Sequence, residues 1–164
     1  MPAEPFCQLL SSHHLKPCLQ LDQAALGGLW NPQQWRTELE DPRRPCLGLL
    51  EGEALLAVAC GWLVVDELHI TAVAVDPVRQ RQGLGRQVLL ALLQHGHNLG
   101  AIHATLEVSA ANAAGCALYA RSGFSTAGVR RAYYRNGDDA LIQWRRLDDA
   151  DFNDSQQVRI TAHS

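Results

Sequence analysis

The stretch from Val73 to Arg86 limits the possible folds of this chain more than any other. An apolar strand, Val73-Ala74-Val75, runs through Asp76-Pro77 into a turn carrying Arg79, Arg81 and Arg86 together with Gly83 and Gly85. The turn opens directly onto an apolar helix. Glycine lacks a Cβ, so backbone there can approach a ligand closely. The first N–H groups of a helix have no partner within it and point at whatever anion lies beyond the end. With arginines beside them, these features predict a cradle for a diphosphate.

The 164 residues suit one compact domain, and a hydrophobic fraction of 47% with 19% charged residues supports a real core rather than a disordered chain. The net charge of −3 lies entirely in the segment 148–164, which holds four Asp and one Arg. The neutral remainder argues against broad nucleic-acid binding. Cys7, Cys18, Cys46, Cys60 and Cys116 are odd in number and contain no C-x-x-C pair, which reads as reduced thiols in a cytoplasmic protein. No basic n-region or long apolar run follows Met1, so neither a signal peptide nor a membrane span is expected. His13-His14 and His95-Gly96-His97 lack supporting ligands at metal-site spacing, so no metal is expected either.

Residues 1–14 show no period and are expected to be loose, with a short strand possible near Leu15–Leu19. Leu21, Ala24, Ala25 and Leu29 follow a helical spacing. A second helix is well marked: Asn31 can cap it, Pro32 fits its first position, and Gln34 sits where a capping box places Glu or Gln. Trp30 and Trp35 occupy the positions of a hydrophobic staple, and Asp41-Pro42 should stop the helix. The two tryptophans read more readily as a packed corner than as the wall of a groove. From Cys46 the texture becomes a strand meander, with Leu47–Leu50, Ala54–Val64 and Leu68–Val75 separated by polar turns.

The last of these strands changes phase. Leu68 and Ile70 fall on even positions, Val73 and Val75 on odd ones, so one extra residue near Thr71–Ala72 predicts a β-bulge. The helix after the glycines carries Leu84, Val88, Leu89, Leu92 and Leu93, with Gly96 and Gly100 bracketing its end. Ile102 to Val108 alternate as a strand that turns His103, Thr105 and Glu107 to the opposite face. A helix from about Asn112 to Ser122 follows. Then comes a hairpin of Val129–Tyr134 and Ala140–Leu147 about an Asn136-Gly137 turn, and residues 148–164 read as a polar tail.

Three readings compete for the glycine turn. It can be a plain loop. It can be a dinucleotide fingerprint, with Glu107 ending the next strand. Against that, Val88 takes the place of the third glycine, the glycines come a full loop after Val75, and a large region precedes the unit. The third reading is a resemblance. Gln80-x-x-Gly83-x-Gly85 is similar to the Q/R-x-x-G-x-G/A signature of the GCN5-related N-acetyltransferases. Ala72–Pro77, Arg81–Arg86, Leu106–Val108, Asn112–Ala114, Ala117–Tyr119, Gly123-Phe124, Arg131–Tyr134 and Gly137–Ala140 follow in that family's order, over roughly residues 15–147. They most resemble the branch that acetylates the N-terminal alanine of a small-subunit ribosomal protein.

The resemblance implies an α/β domain: a mixed, mostly antiparallel sheet with flanking helices and a splayed, bulged central strand. It implies acetyl-CoA as co-substrate, no metal, and as partner the N-terminal peptide of a small-subunit ribosomal protein, without direct contact to nucleic acid or membrane. It also implies a monomer or weak dimer. Val73, Ala74 and Val75 would pair with the pantetheine arm. Arg81, Gln82, Gly83, Leu84, Gly85 and Arg86 would hold the pyrophosphate, and Asn112 would also bind the cofactor. Glu107 resembles the general base: an N-terminal amine has a pKa of about 7.7–8 and must lose a proton before attack. Tyr119 resembles the general acid for the departing thiolate. Read without the family, Glu107 is an exposed strand residue and Tyr119 a core tyrosine. Other acceptors, such as a polyamine or an antibiotic, a non-catalytic acetyl-CoA-binding module, and a more distant oxidoreductase are the rival functions.

Overall fold

The computed structural model describes residues 4–152 and the backbone of 160–162. Eight strands form one sheet in the order β6-β7-β5-β4-β3-β2-β1-β8. They are β1 (Phe6–Leu9), β2 (Cys46–Glu51), β3 (Ala54–Val64), β4 (Glu67–Val75), β5 (His103–Ser109), β6 (Ser125–Arg130), β7 (Ala140–Arg146) and β8 (Ile160–Ala162). Neighbours run antiparallel except β4/β5 and β1/β8. Helices α1 (Leu15–Leu26) and α2 (Pro32–Glu40) cover one face, and α3 (Leu84–Asn98) and α4 (Ala113–Arg121) cover the other.

Each face has its own core. Leu63, Leu68, Ile70, Leu106 and Val108 meet Val88, Leu89 and Leu92 of α3, while Val58, Cys60, Ala72 and Ala74 meet Cys18, Leu21 and Trp35 of α1 and α2. The expected bulge supplies the change of face. Cys60 pairs with Ala72 but Gly61 with Ile70, leaving Thr71 as the extra residue.

Several expectations need correction. Residues 6–9 are not loose but form β1, paired with β2; Cys7 is buried, and its partner strand rather than any local period holds it there. Leu15–Leu19 is helical. Pro17 stands in the first turn of α1, where its missing N–H is not needed, and Cys18 and Leu21 face the core. The helix ends at Leu26 because Gly27 turns left-handed (φ 71°), so Leu29 lies in the connecting loop. The end of α3 at Asn98 does fall between Gly96 and Gly100, as expected, and a Cβ on Gly96 would lie 2.8 Å from buried Leu68.

The β6–β7 connection is longer than a two-residue hairpin. Arg130 pairs with Ala140, and the segment between them is shaped by side chains: Asp139 Oδ1 accepts from the Ala132 N–H at 2.9 Å, with Asn136-Gly137 forming only an inner turn. The polar tail expected over 148–164 begins with a 3-10 helical turn, Asp149–Phe152. Its Phe152 is buried and stacks on His97 at 5.0 Å. Residues 153–159 and 163–164 lie outside the described residues. The α2 start follows the sequence closely, with both capping-box bonds present at 2.8 and 2.9 Å and the Trp30 and Trp35 rings 4.9 Å apart.

Candidate active site

Strands β4 and β5 pair over only three rungs, Glu67↔His103, Leu68↔Ala104 and His69↔Thr105. Beyond His69, β4 stays on β3 while β5 follows β7 over its whole length. The sheet therefore splits. The edge of Val73, Ala74 and Val75 facing β5 has no strand partner among the described residues. Such an edge presents ladder donors and acceptors that an extended, amide-containing ligand can complete.

The mouth of this gap is the glycine turn. Asp76 caps a short 3-10 turn through the Val78 N–H at 3.1 Å. Arg79 does not face the cradle freely: it pairs with Glu51 at 3.2 Å and with Gln82 at 3.3 Å, fastening the turn to the end of β2. Arg81 (φ 63°) and Gly83 (φ 76°) both sit in the left-handed region. For arginine this is strained, and such strain clusters at ligand sites. Gly83 is the N-cap of α3 and supplies no side-chain cap, so the leading N–H groups of Leu84, Gly85 and Arg86 lack the usual partner. A Cβ on Gly85 would lie 3.3 Å from Val75 and 3.5 Å from Leu118. That closeness lets β4, α3 and α4 converge at one point. A groove of about 820 Å³ continues from Gln82, Gly83 and Arg86 past Arg121 to Phe152.

Glu107 and Tyr119 approach the split from opposite faces. Leu106 and Val108 point into the α3-side core, so Glu107, between them, faces the side of α1 and α2. Tyr119 packs into the α3-side core, edge-on to Phe124 at 5.9 Å. Burial, with Tyr134 and Cys116 nearby, raises its hydroxyl to about 12. The β6–β7 loop links the two. The Tyr133 hydroxyl lies 3.5 Å from Glu107 Oε2, and Tyr134 is pushed up by burial and by the charge of Glu107. Glu107, Tyr119, Tyr133 and Tyr134 thus form one cluster around the opening.

Asn112 is an exposed N-cap of α4 whose Oδ1 accepts from the Gly115 N–H at 2.9 Å, leaving its amide NH2 available to a ligand. It stands just outside the helix rather than within it. Sequence reasoning missed Asp22, which is 2% exposed. Its carboxylate accepts from the N–H groups of Leu29 (2.7 Å) and Trp30 (3.0 Å) and from the Trp35 indole (2.8 Å), holding the α1–α2 loop. Its only signal is an acid on the apolar side of a helix.

A split parallel pair over a bulged strand thus sets a free strand edge beside helix N–H groups that lack a side-chain cap. The chain belongs to the acetyltransferase (GNAT) family, whose model matches residues 12–124. The ribosomal protein bS18-alanine N-acetyltransferase of Salmonella typhimurium is 35% identical over 137 residues, covering 82% of this chain and 92% of that protein. N-alpha-acetyltransferase RimI of Mycobacterium tuberculosis is 35% identical over 121 residues, 71% of this chain and 75% of that one. The crystal structure of the ribosomal-protein-S18-alanine N-acetyltransferase from Escherichia coli matches with a TM-score of 0.80 at 32% identity, over 88% of this chain and 95% of that one.

Proposed function

We propose that this enzyme moves the acetyl group of acetyl-CoA to the N-terminal amine of a small-subunit ribosomal protein that begins with alanine. The relatives named for that reaction support the acceptor, and with such an acceptor the enzyme would work in the cytoplasm. The observation that carries the chemistry is the parting of β4 and β5 between Glu107 and Tyr119.

In this reading the pantetheine amides complete the free edge of Val73, Ala74 and Val75. The N–H groups from Arg81 through Gln82, Gly83, Leu84, Gly85 and Arg86 hold the diphosphate, reinforced by the α3 dipole. The nucleotide end follows the groove toward Arg121, and the Asn112 amide donates to the cofactor. Glu107 takes a proton from the incoming ammonium, directly or through one water, and the free amine attacks the thioester carbonyl. As the carbon–sulfur bond breaks, the Tyr119 hydroxyl donates its proton to the leaving sulfur, and the surplus proton that the nitrogen sheds on becoming an amide returns through solvent to the Tyr119 oxygen; Glu107 releases its proton to water, giving the amide and CoA thiol.

The raised hydroxyl of Tyr119 sharpens its role. At about 12 it carries its proton at every working pH. It lies roughly three pH units above an ordinary thiol near 8.5–9, so full transfer to a solvated thiolate is uphill by about 4–5 kcal/mol. The same dry surroundings raise the thiol as well, which narrows the gap. Donation concerted with bond cleavage therefore fits better than transfer to a finished thiolate.

The test is steady-state kinetics with an alanine-starting ribosomal-type peptide beside a panel of small amines. Glu107→Gln and Tyr119→Phe should each lower kcat/KM by about 10²–10⁴. Unchanged values for both would remove the assigned roles, and turnover of a small amine in preference to the peptide would replace the acceptor.

A further inference from the structure

The extra residue of the β4 bulge carries a hydroxyl without a partner. Cys60 pairs with Ala72 and Gly61 with Ile70, so Thr71 is the residue that finds no counterpart on β3. Its Oγ1 is enclosed and has no hydrogen-bond partner among the described residues, although Thr71 as a whole is only half-buried. A hydroxyl has one donor and two acceptor positions to fill. Covering it with none of them filled costs stability, and a valine of nearly the same shape would avoid that cost.

Strand register sets this hydroxyl at the split. The last rung that joins β4 to β5 is His69↔Thr105. Two residues farther along each strand stand Thr71 and Glu107, on opposite lips of the opening. They also share a face. Glu107 lies on the side of α1 and α2, because Leu106 and Val108 point into the other core. Thr105 shares that face with Glu107, His69 pairs with Thr105, and Thr71 follows His69 by two. The bulge then doubles Thr71 with Ala72 opposite Cys60, and Ala72 and Cys60 both pack toward α1 and α2. Tyr119 packs on the other side, in the α3 core. The sheet thus separates the group assigned to the leaving thiolate from the group assigned to the amine, and Thr71 stands on the side of the amine. Among the described residues, the Glu107 carboxylate meets only the Tyr133 hydroxyl, at 3.5 Å.

We propose that Thr71 is a further substrate-binding residue, its hydroxyl oxygen accepting one N–H of the incoming N-terminal ammonium while Glu107 receives another. The proposal rests on the reading of Glu107 as the base. Holding the nitrogen from both lips fixes it over the opening, so that it meets the thioester in one geometry. One χ1 step moves the threonine oxygen to another staggered position, which lets it turn to a donor arriving on this side. The stability given up at an enclosed, unpartnered hydroxyl is then recovered when the acceptor binds.

The test sets activity against stability. Thr71→Val removes the oxygen and keeps the shape. It should lower kcat/KM for an alanine-starting peptide about 10- to 100-fold, the worth of one hydrogen bond to a charged group, while acetyl-CoA binding measured by calorimetry stays within about twofold and the melting temperature does not fall. Thr71→Ser keeps the hydroxyl and should recover most of the activity. Because both groups hold one nitrogen, adding Thr71→Val to Glu107→Gln should cost less than Thr71→Val costs alone. A valine variant with wild-type kcat/KM overturns the proposal, and so does a serine variant as slow as valine. A valine variant that melts clearly lower or fails to fold also overturns it, since the hydroxyl would then have a structural partner. Weakened acetyl-CoA binding does the same, by placing the hydroxyl on the cofactor. If Glu107→Gln alone leaves turnover unchanged, the reading of Glu107 fails and the proposal falls with it; a loss at Glu107 with none at Thr71 strikes the proposal alone.

Discussion

Replacing Asp22 tests how the α1–α2 loop is held. Its carboxylate accepts three hydrogen bonds, with Oδ1 serving Leu29 and Oδ2 serving both Trp30 and the Trp35 indole. Hydrogen bonds to a charged acceptor contribute about 1.5–3 kcal/mol each, and a buried donor left alone costs about 1–3 kcal/mol. In Asp22→Ala the Trp35 indole has no access to solvent, since Trp35 is 0% exposed, whereas the two loop N–H groups can recruit water. Relief of the buried charge offsets part of the loss. The sum is a destabilisation of about 3–5 kcal/mol, or a fall in Tm of roughly 10 °C or more for a chain of this size. Asp22→Asn keeps one acceptor oxygen, enough for the two Oδ2 bonds, and turns an NH2 toward Leu29, so its cost should be about 1–2 kcal/mol. Urea unfolding followed by circular dichroism gives both numbers, and hydrogen exchange at Leu29 and Trp30 locates the change. An alanine variant within 1 kcal/mol of wild type, or an asparagine variant as damaged as alanine, would refute the account.

Three further outcomes are expected. Tyr119 titrates near 10 when unfolded and at about 12 when folded, so its contribution to stability is fully present below pH 10 and is lost as pH rises from about 10 to 12; Tyr119→Phe should flatten that part of the pH–stability curve, as read from urea midpoints. Asn112→Ala should cost about 1 kcal/mol through the lost cap and also weaken acetyl-CoA binding, whereas Asn112→Ser should restore stability but not affinity; thermal melts and calorimetry separate the two. At Gly83, where nothing lies within 4 Å of an added Cβ, the penalty is conformational, so Gly83→Val should lower stability by about 1–2 kcal/mol and Gly83→Asn by less in chemical denaturation.

Much of the frame was legible in the chain because it follows local rules. The shift of apolar residues from even to odd positions announced the extra residue at Thr71, and Asn31, Pro32 and Gln34 announced the start of α2. The order of short blocks pointed to the family. Hydrophobic periodicity failed at β1 and at Phe152. In both places a buried side chain belongs to a short segment whose partner is distant in sequence. The Asn-Gly pair suggested a tight hairpin, but Asp138 and Asp139 reshape that segment, with Ser109 hydrogen-bonded to Asp138 at 3.2 Å.

By itself the sequence determined the alternation of strands and helices, the bulged strand and the glycine turn with its outward N–H groups. These depend on side-chain period, missing Cβ atoms and capping chemistry within a few residues. The resemblance to the family implied a splayed central strand; only the tertiary structure decided that β4 and β5 part after three rungs and that Tyr133 and Tyr134 come back over Glu107. It also decided that the Tyr119 hydroxyl is driven upward. Each of these results joins residues far apart in the chain through strand register and burial, which exist only after the sheet has assembled.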